Sequence, residues 1–312
     1  MREIEGLLVK GLGGLYEIAT EEGVYTCRAK GILKKGDGKL LMGDRVLLSL
    51  DESGRGETAI VKIFPRKNAL IRPPLANLSY LLLTVAAAKP DPSLALLDRM
   101  TVICEKQGIT PVLFINKCDL AREEAERLVG IYRKTGYTAF MVSAQDSVGL
   151  DEVSSFLSSI LRDGQIACFA GASGVGKSTL MNRLFPALLR ETGGLSEKTQ
   201  RGKHTTRSVE LFSCFGGWLA DTPGFSLLDF IHFDFVTLSE LEGCFPELAP
   251  FIGQCRYTDC THGSEDGCAV LEALSAGEIE KSRYESFIEL RALLKEKEKN
   301  MYDGSRKKPS SL

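Results

Sequence analysis

The 312-residue sequence lacks a hydrophobic run long enough to cross a membrane. Its longest apolar stretch, Tyr80 to Ala88, falls well short of the ~20 residues a spanning helix needs, and Met1 to Gly14 hold no apolar segment with a cleavage site. Both absences argue against a membrane or secreted protein and predict a soluble, cytoplasmic chain. A dominant charge is missing too: 39 Lys+Arg against 41 Asp+Glu leave a net charge of −2. That removes any global electrostatic case for nucleic-acid binding and leaves RNA contact to local patches. Internal repeats are absent, and so is an even set of cysteines. The nine are Cys27, Cys104, Cys118, Cys168, Cys214 and Cys244, with a cluster at Cys255, Cys260 and Cys268. An odd number without a secretion signal predicts reduced thiols, and the tight cluster predicts a metal rather than disulfides.

What is present changes character along the chain. Residues 1–67 form short β-like runs, at Gly6 to Val9, Leu15 to Ala19, Val24 to Ala29, Arg45 to Leu50 and Thr58 to Phe64, punctuated by Gly-rich turns. Five such strands predict a small antiparallel barrel, of OB type in preference to an SH3-like one. Its 12 basic and 10 acidic residues permit RNA contact without requiring it. Over 68–230 apolar strands alternate with helices: Tyr80 to Ala88, Pro111 to Ile115, Thr138 to Val142 and Ile166 to Ala170 as strands, with helices from Pro92 to Gln107, Glu123 to Lys134, Leu150 to Leu161 and Lys177 to Leu189. Val209 to Cys214 and Trp218 to Ala220 close the set. Apolar runs without period-two alternation, separated by helices, predict a mostly parallel sheet covered on both faces. Residues 231–312 hold the Cys/His cluster, a helix from Ile279 to about Lys299, and a basic tail from Ser305 expected to be disordered.

The central motif is Gly171-Ala172-Ser173-Gly174-Val175-Gly176-Lys177-Ser178, a full match to G-x-x-x-x-G-K-[ST] between a strand and a helix. Glycines let the backbone curl so that its N–H groups and the helix N-terminus face phosphate oxygens. Lys177 is expected to bridge the terminal phosphates and the Ser178 hydroxyl to ligate Mg²⁺, with Thr179 among the nucleotide-binding residues. Asn116-Lys117-Cys118-Asp119 follows the strand ending at Ile115. A carboxylate at Asp119 accepts from guanine N1–H and its exocyclic amine, which adenine cannot match, so GTP is favoured over ATP. Ser143-Ala144, after the next strand, is expected to back the base with an N–H. Asp221-Thr222-Pro223-Gly224 supplies the D-x-x-G element: Asp221 holds Mg²⁺ through its water shell and the Gly224 N–H senses the γ-phosphate. Between it and the P-loop, Thr205 or Thr206, with Thr206 preferred, is the candidate Mg²⁺ and γ-phosphate ligand.

Two features of this set are unusual. The guanine reader lies 55 residues before the phosphate loop, the reverse of the ordinary order, as though the sequence had been rotated. And Phe225 stands where many GTPases place a water-orienting Gln, so slow intrinsic hydrolysis is expected. His204, beside the threonines, is the nearby side chain with a near-neutral pKa; it either orients water or serves a structural or partner-contacting role.

Cys255-x₄-Cys260-x-His262-x₅-Cys268 places four soft or borderline ligands within 14 residues. Cys₃His suits closed tetrahedral Zn²⁺, and with no position left for a catalytic water the single zinc is expected to be structural.

Together these elements resemble the circularly permuted GTPases of the RsgA family, also called YjeQ, small-ribosomal-subunit-dependent GTPases of bacteria. The likeness rests on the permuted order, GASGVGKSTLMN from Gly171 to Asn182, GKHTT from Gly202 to Thr206, DTPGF from Asp221 to Phe225, and the Cys255 to Cys268 spacing. Gly267-Cys268-Ala269-Val270 and Arg283-Tyr284 share the family look. The resemblance implies an OB domain, a permuted GTPase domain and a zinc domain, with hydrolysis of GTP to GDP stimulated by the small subunit late in its maturation, and with barrel and zinc domain gripping its 16S rRNA. A monomer is expected. Two departures stand out: the Ser143 loop reads SAQDSVGL without a glycine near Ser147, and no basic extension precedes the barrel. The competing readings are an RNA-binding assembly factor for which GTP is mainly a conformational key, and an ATP-driven P-loop protein.

Overall fold

The computed structural model describes residues 2–30, 39–50, 58–70, 73–186, 209–221 and 236–306. Five strands, β1 (Arg2–Leu12), β2 (Leu15–Thr20), β3 (Gly23–Ala29), β4 (Arg45–Leu50) and β5 (Ala59–Ile63), close into a barrel in the order β1-β2-β3-β5-β4. Four of its pairs are antiparallel, and β3 runs parallel to β5, which is the OB-type arrangement. Strand β1 is longer than its apolar core, Gly6 to Val9, predicts. Its first half pairs with β4 and its second with β2, with a register shift between Leu8 and Lys10 within the β2 pairing. Inside sit Leu8, Ile18, Val46, Leu48 and Ile60, all at 0% exposure.

A small hairpin, β6 (Ala69–Leu70) with β7 (Leu75–Ala76), joins barrel to sheet. Arg66 grips the fully buried Asp44 through two hydrogen bonds of 2.6 and 2.9 Å, and Asn77 Nδ2 donates to the Gly43 carbonyl at 2.8 Å. The linking segment is therefore pinned to the barrel at several points.

The six-stranded sheet runs β10-β9-β8-β11-β13-β12, where β8 is Tyr80–Ala86, β9 Thr110–Asn116, β10 Thr138–Met141, β11 Ile166–Gly171, β12 Glu210–Cys214 and β13 Gly217–Asp221. All pairs are parallel except β12 with β13. Apolar cores lie on its two faces, one against helices α1 (Leu94–Gln107) and α2 (Arg122–Lys134), the other against α3 (Leu150–Ile160) and α4 (Lys177–Leu184). From β8 the chain winds outward through β9 and β10; from β11 it winds the other way. The crevice at the carboxyl ends of β8 and β11 is thus a topological switch point, where open α/β sheets bind ligands.

Helix α4 ends at Leu184, earlier than the expected Leu189. Pro186 disfavours the helical region for the residue before it, and Phe185 accordingly adopts φ −128 and ψ 59. The C-terminal module contains two short 3₁₀ turns, helix α5 (Ala269–Ser275) and the long α6 (Lys281–Arg306), so Ser305 and Arg306 continue a helix instead of opening the expected tail. No helix among the described residues is long and apolar enough to cross a membrane.

Candidate functional site

Strands β9, β11 and β13 deliver Asn116, Gly171 and Asp221 to the same edge of the sheet. Gly171 is required by proximity: a Cβ there would stand 2.6 Å from the Thr84 carbonyl oxygen of β8. Gly176 caps α4 with φ +89, a conformation that penalises side chains, and a Cβ there would meet Asn116 Nδ2 at 2.3 Å. Phosphate loop and Asn116 are therefore packed with no room for a methyl group. Ser173, Gly174, Ser178 and Thr179 are exposed, Lys177 and Ala172 half-buried and Val175 buried, so the α4 N-terminus opens to solvent.

Asn116 is 2% exposed and joins two loops. Its Nδ2 donates to the Val175 carbonyl at 2.8 Å, and its Oδ1 accepts from the Ala144 N–H at 3.0 Å. Lys117, at φ +62, donates its ammonium to the Gly174 carbonyl at 2.7 Å and to the Lys89 carbonyl. Asp119 is exposed and its carboxylate open to an incoming base. Cys118 is a packing residue: burial, reinforced by Asp119, pushes its thiol pKa up and away from reactivity. Ser143 is fully buried; its hydroxyl accepts from the Asp146 N–H at 3.1 Å, and its backbone pairs with Val148. That pairing closes the loop without a glycine at Ser147, which itself takes φ +60. Of the Ser143-Ala144 loop expected to back the base, the Ala144 N–H is held by Asn116.

Asp221 ends β13, its backbone paired with Glu210. His204, Thr205, Thr206, Gly224 and Phe225 lie outside the described residues.

Cys255, Cys260, His262 and Cys268 converge, with their ligand atoms all within 4.8 Å of one another. His262 turns Nδ1 inward, 3.5 Å from Cys255 Sγ and 3.4 Å from Cys268 Sγ, while Cys255 and Cys268 sulfurs are 3.9 Å apart. Burial, with hydrogen bonds that the Cys260 S–H makes to the other two sulfurs, pushes the Cys260 thiol up to about 12, a state a divalent cation reverses by stabilising thiolates. This donor set fits a tetrahedral zinc. Three supporting groups escape motif reading. Glu242 lies 3.6 Å from His262 Nε2, on the side away from the thiols, and so can fix the ring's orientation. Glu265 accepts from the Thr261 hydroxyl and from the N–H groups of Thr261, Gly263 and Ser264, which holds its carboxyl below the usual range and shapes the loop between ligands. Tyr284 donates its hydroxyl to the His262 carbonyl at 2.8 Å. Their only signal in the sequence is closeness to the ligands for Glu265 and the Arg283-Tyr284 pair for Tyr284.

Known proteins share this arrangement. The family model described as RsgA GTPase matches residues 63–231, and that described as RsgA N-terminal domain matches residues 5–57. A small ribosomal subunit biogenesis GTPase RsgA of Alkaliphilus metalliredigens (strain QYMF) is 43% identical over 288 residues, covering 92% of this chain and 96% of that protein. The protein of the same name from Caldanaerobacter subterraneus subsp. tengcongensis is 42% identical over 304 residues, 97% of this chain and 99% of its own. Among solved structures, YloQ, a circularly permuted GTPase, matches with a TM-score of 0.76 at 30% identity, covering 95% of this chain and 96% of that one. YjeQ from Thermotoga maritima matches with a TM-score of 0.78 at 31% identity, covering 94% and 99%. With the guanine-type loop ahead of the phosphate loop and likeness along nearly the whole length, the chain belongs to the RsgA family of circularly permuted GTPases.

Proposed function

We propose that this chain is a cytoplasmic, monomeric GTPase that binds the small ribosomal subunit and hydrolyses GTP to GDP and phosphate as a late checkpoint in its maturation. The observation that carries this reading is Asn116, whose one amide spans the Val175 carbonyl of the phosphate loop and the Ala144 N–H of the base loop. Such a tie serves a protein that must hold base and phosphates in fixed register, and Asp119 beside it supplies the acceptor that selects guanine.

Within the site, Lys177 contacts the β- and γ-phosphates, backbone N–H groups from Gly171 to Ser178 cradle them, and Thr179 continues the cradle into α4. Ser178, Thr206 and Asp221 would hold Mg²⁺, which would neutralise charge developing on the phosphates. Gly224 reports on the γ-phosphate, with Thr205 as the alternative to Thr206. His204 orients the attacking water, a task Phe225 cannot perform. We assign residues 1–67 as the OB barrel, 68–230 as the permuted GTPase domain and 231–312 as the domain organised by one zinc on Cys255, Cys260, His262 and Cys268; barrel and zinc domain contact the subunit's 16S rRNA.

The test is nucleotide competition combined with single-turnover hydrolysis. Asp119→Asn should lose guanine selectivity, Lys177→Ala should bind a small subunit yet not hydrolyse, and His204→Ala should lower stimulated turnover more than GTP affinity. Unchanged selectivity in Asp119→Asn would refute the base assignment. A stimulated rate untouched by His204→Ala would remove that side chain from catalysis.

A further inference from the structure

Arg283 and Tyr284 are adjacent residues in the first turn of α6, and they bond in two directions. Tyr284 ties the turn to the metal loop through the His262 carbonyl. Arg283, wholly buried, reaches α1: its Nη1 donates to Asp98 Oδ1 at 2.8 Å and to Thr101 Oγ1 at 3.0 Å, while Nε donates to Glu247 at 2.6 Å. Asp98, equally buried, also accepts from Tyr132 at 2.7 Å and Ser286 at 2.5 Å. The guanidinium stacks 4.8 Å from the Phe245 ring centroid. Ion pairs Arg99–Glu289 and Lys106–Glu240 repeat the attachment along α1, and Val102 of α1 lies inside the C-terminal module's apolar core. A hub with its charges paired and its donors engaged behaves as a rigid joint.

The first turn of α1, directly before Asp98, meets the phosphate loop. Lys117 bonds both the Gly174 carbonyl and the Lys89 carbonyl in the lead-in to the helix. Leu94, Leu96, Leu97 and Ala172 pack on one core, and Ser93, Leu96, Leu97, Ala172 and Ser173 line a cavity of about 190 Å³. Alpha-helical rise makes this 14-residue helix about 21 Å long. It is clamped rigidly at the metal module and seated against a void at the nucleotide.

We infer that Arg283 is a positioning residue for hydrolysis: it locks α1 to the metal module, so that a partner displacing the module moves α1 against the phosphate loop. The inference rests on the functional reading above and adds the mechanical route, which runs through α1. Coupling of this kind is carried by packed networks and rigid elements.

The test uses the full-length, zinc-loaded chain with purified small subunits. Arg283→Lys keeps the charge and loses the fork and the stacking plane. The expected result is a stimulated kcat about tenfold below the parent, with the half-saturating subunit concentration, GDP affinity and zinc content within about threefold. A folded Arg283→Lys protein whose stimulated kcat stays within about twofold of the parent overturns the inference. Should Arg283→Lys fail to fold, Glu247→Gln at the hub's edge decides: the same split of lowered kcat at unchanged half-saturation supports the route, and parental kcat overturns it. No stimulation of the parent itself overturns both this inference and the functional reading, whereas stimulation that survives in the variants overturns the inference alone.

Discussion

Asn116 is the residue on which the proposed nucleotide site turns. Removing its amide strands a buried carbonyl at Val175 and a buried N–H at Ala144, each worth about 1–3 kcal/mol when left unpaired. Asn116→Ala should therefore lower affinity for GDP and GTP alike, by at least ~10-fold in a fluorescent-nucleotide titration, and reduce the melting temperature. Asp119→Asn should act differently, costing guanine nucleotides alone by ~100-fold or more while the fold is untouched. Equal losses for GTP and ATP in Asp119→Asn would count against the base-reading role. Gly176→Ala forces a side chain into left-handed backbone, at about 1–2 kcal/mol, and drives it onto Asn116. Its nucleotide affinity should fall at least as far as that of Asn116→Ala.

At the scale of elements, the helices and strands around the nucleotide were legible because apolar runs and turn residues alternate there without ambiguity. The edge position of Asn116 and Gly171 followed from the strands they end. What the sequence did not disclose were contacts made between distant segments. Glu242 and Glu265 look like ordinary surface acids, and their service to the metal loop depends on folds of 20 and 3 residues' separation from His262. Arg283 reads as a helix-surface cation until α6 is laid on α1. Helix α4 stops short of the expected Leu189 because Pro186 keeps Phe185 out of the helical region. The metal loop yields a direct prediction: Cys260→Ala, or a strong chelator, should release one zinc per chain and lower the thermal stability of the C-terminal module, since metal binding supplies folding free energy. Unchanged elemental zinc would refute the cluster. The tie between α1 and the 3₁₀ turn at Leu238–Glu240 yields another. Lys106, with Thr237, holds the Glu240 carboxyl near 2, below its ordinary 4.5. A depressed folded value means the contribution is present above pH 4.5 and lost as pH falls toward 2, so Glu240→Gln should flatten that part of the acid-unfolding curve.

On the scale of the whole molecule, the barrel is pinned to the segment that leads into the sheet through Arg66, Asp44 and Asn77, and the metal module to α1 through Arg283 and Asp98. Both flanking modules are thus attached to the sheet that carries the nucleotide, and a large partner touching both can act on that sheet. Permutation keeps the site at the switch point of β8 and β11 while moving the chain ends to the flanking modules. The absence of a Gln after Asp221-Thr222-Pro223-Gly224 fits an enzyme that waits for such a partner. The measurement that tests this most directly is GTP turnover titrated with purified small ribosomal subunits. The account predicts slow hydrolysis alone and saturable acceleration of ~10³-fold or more, abolished in Lys177→Ala. Turnover that stays flat across the titration, in a protein that binds GTP and retains its zinc, would contradict it.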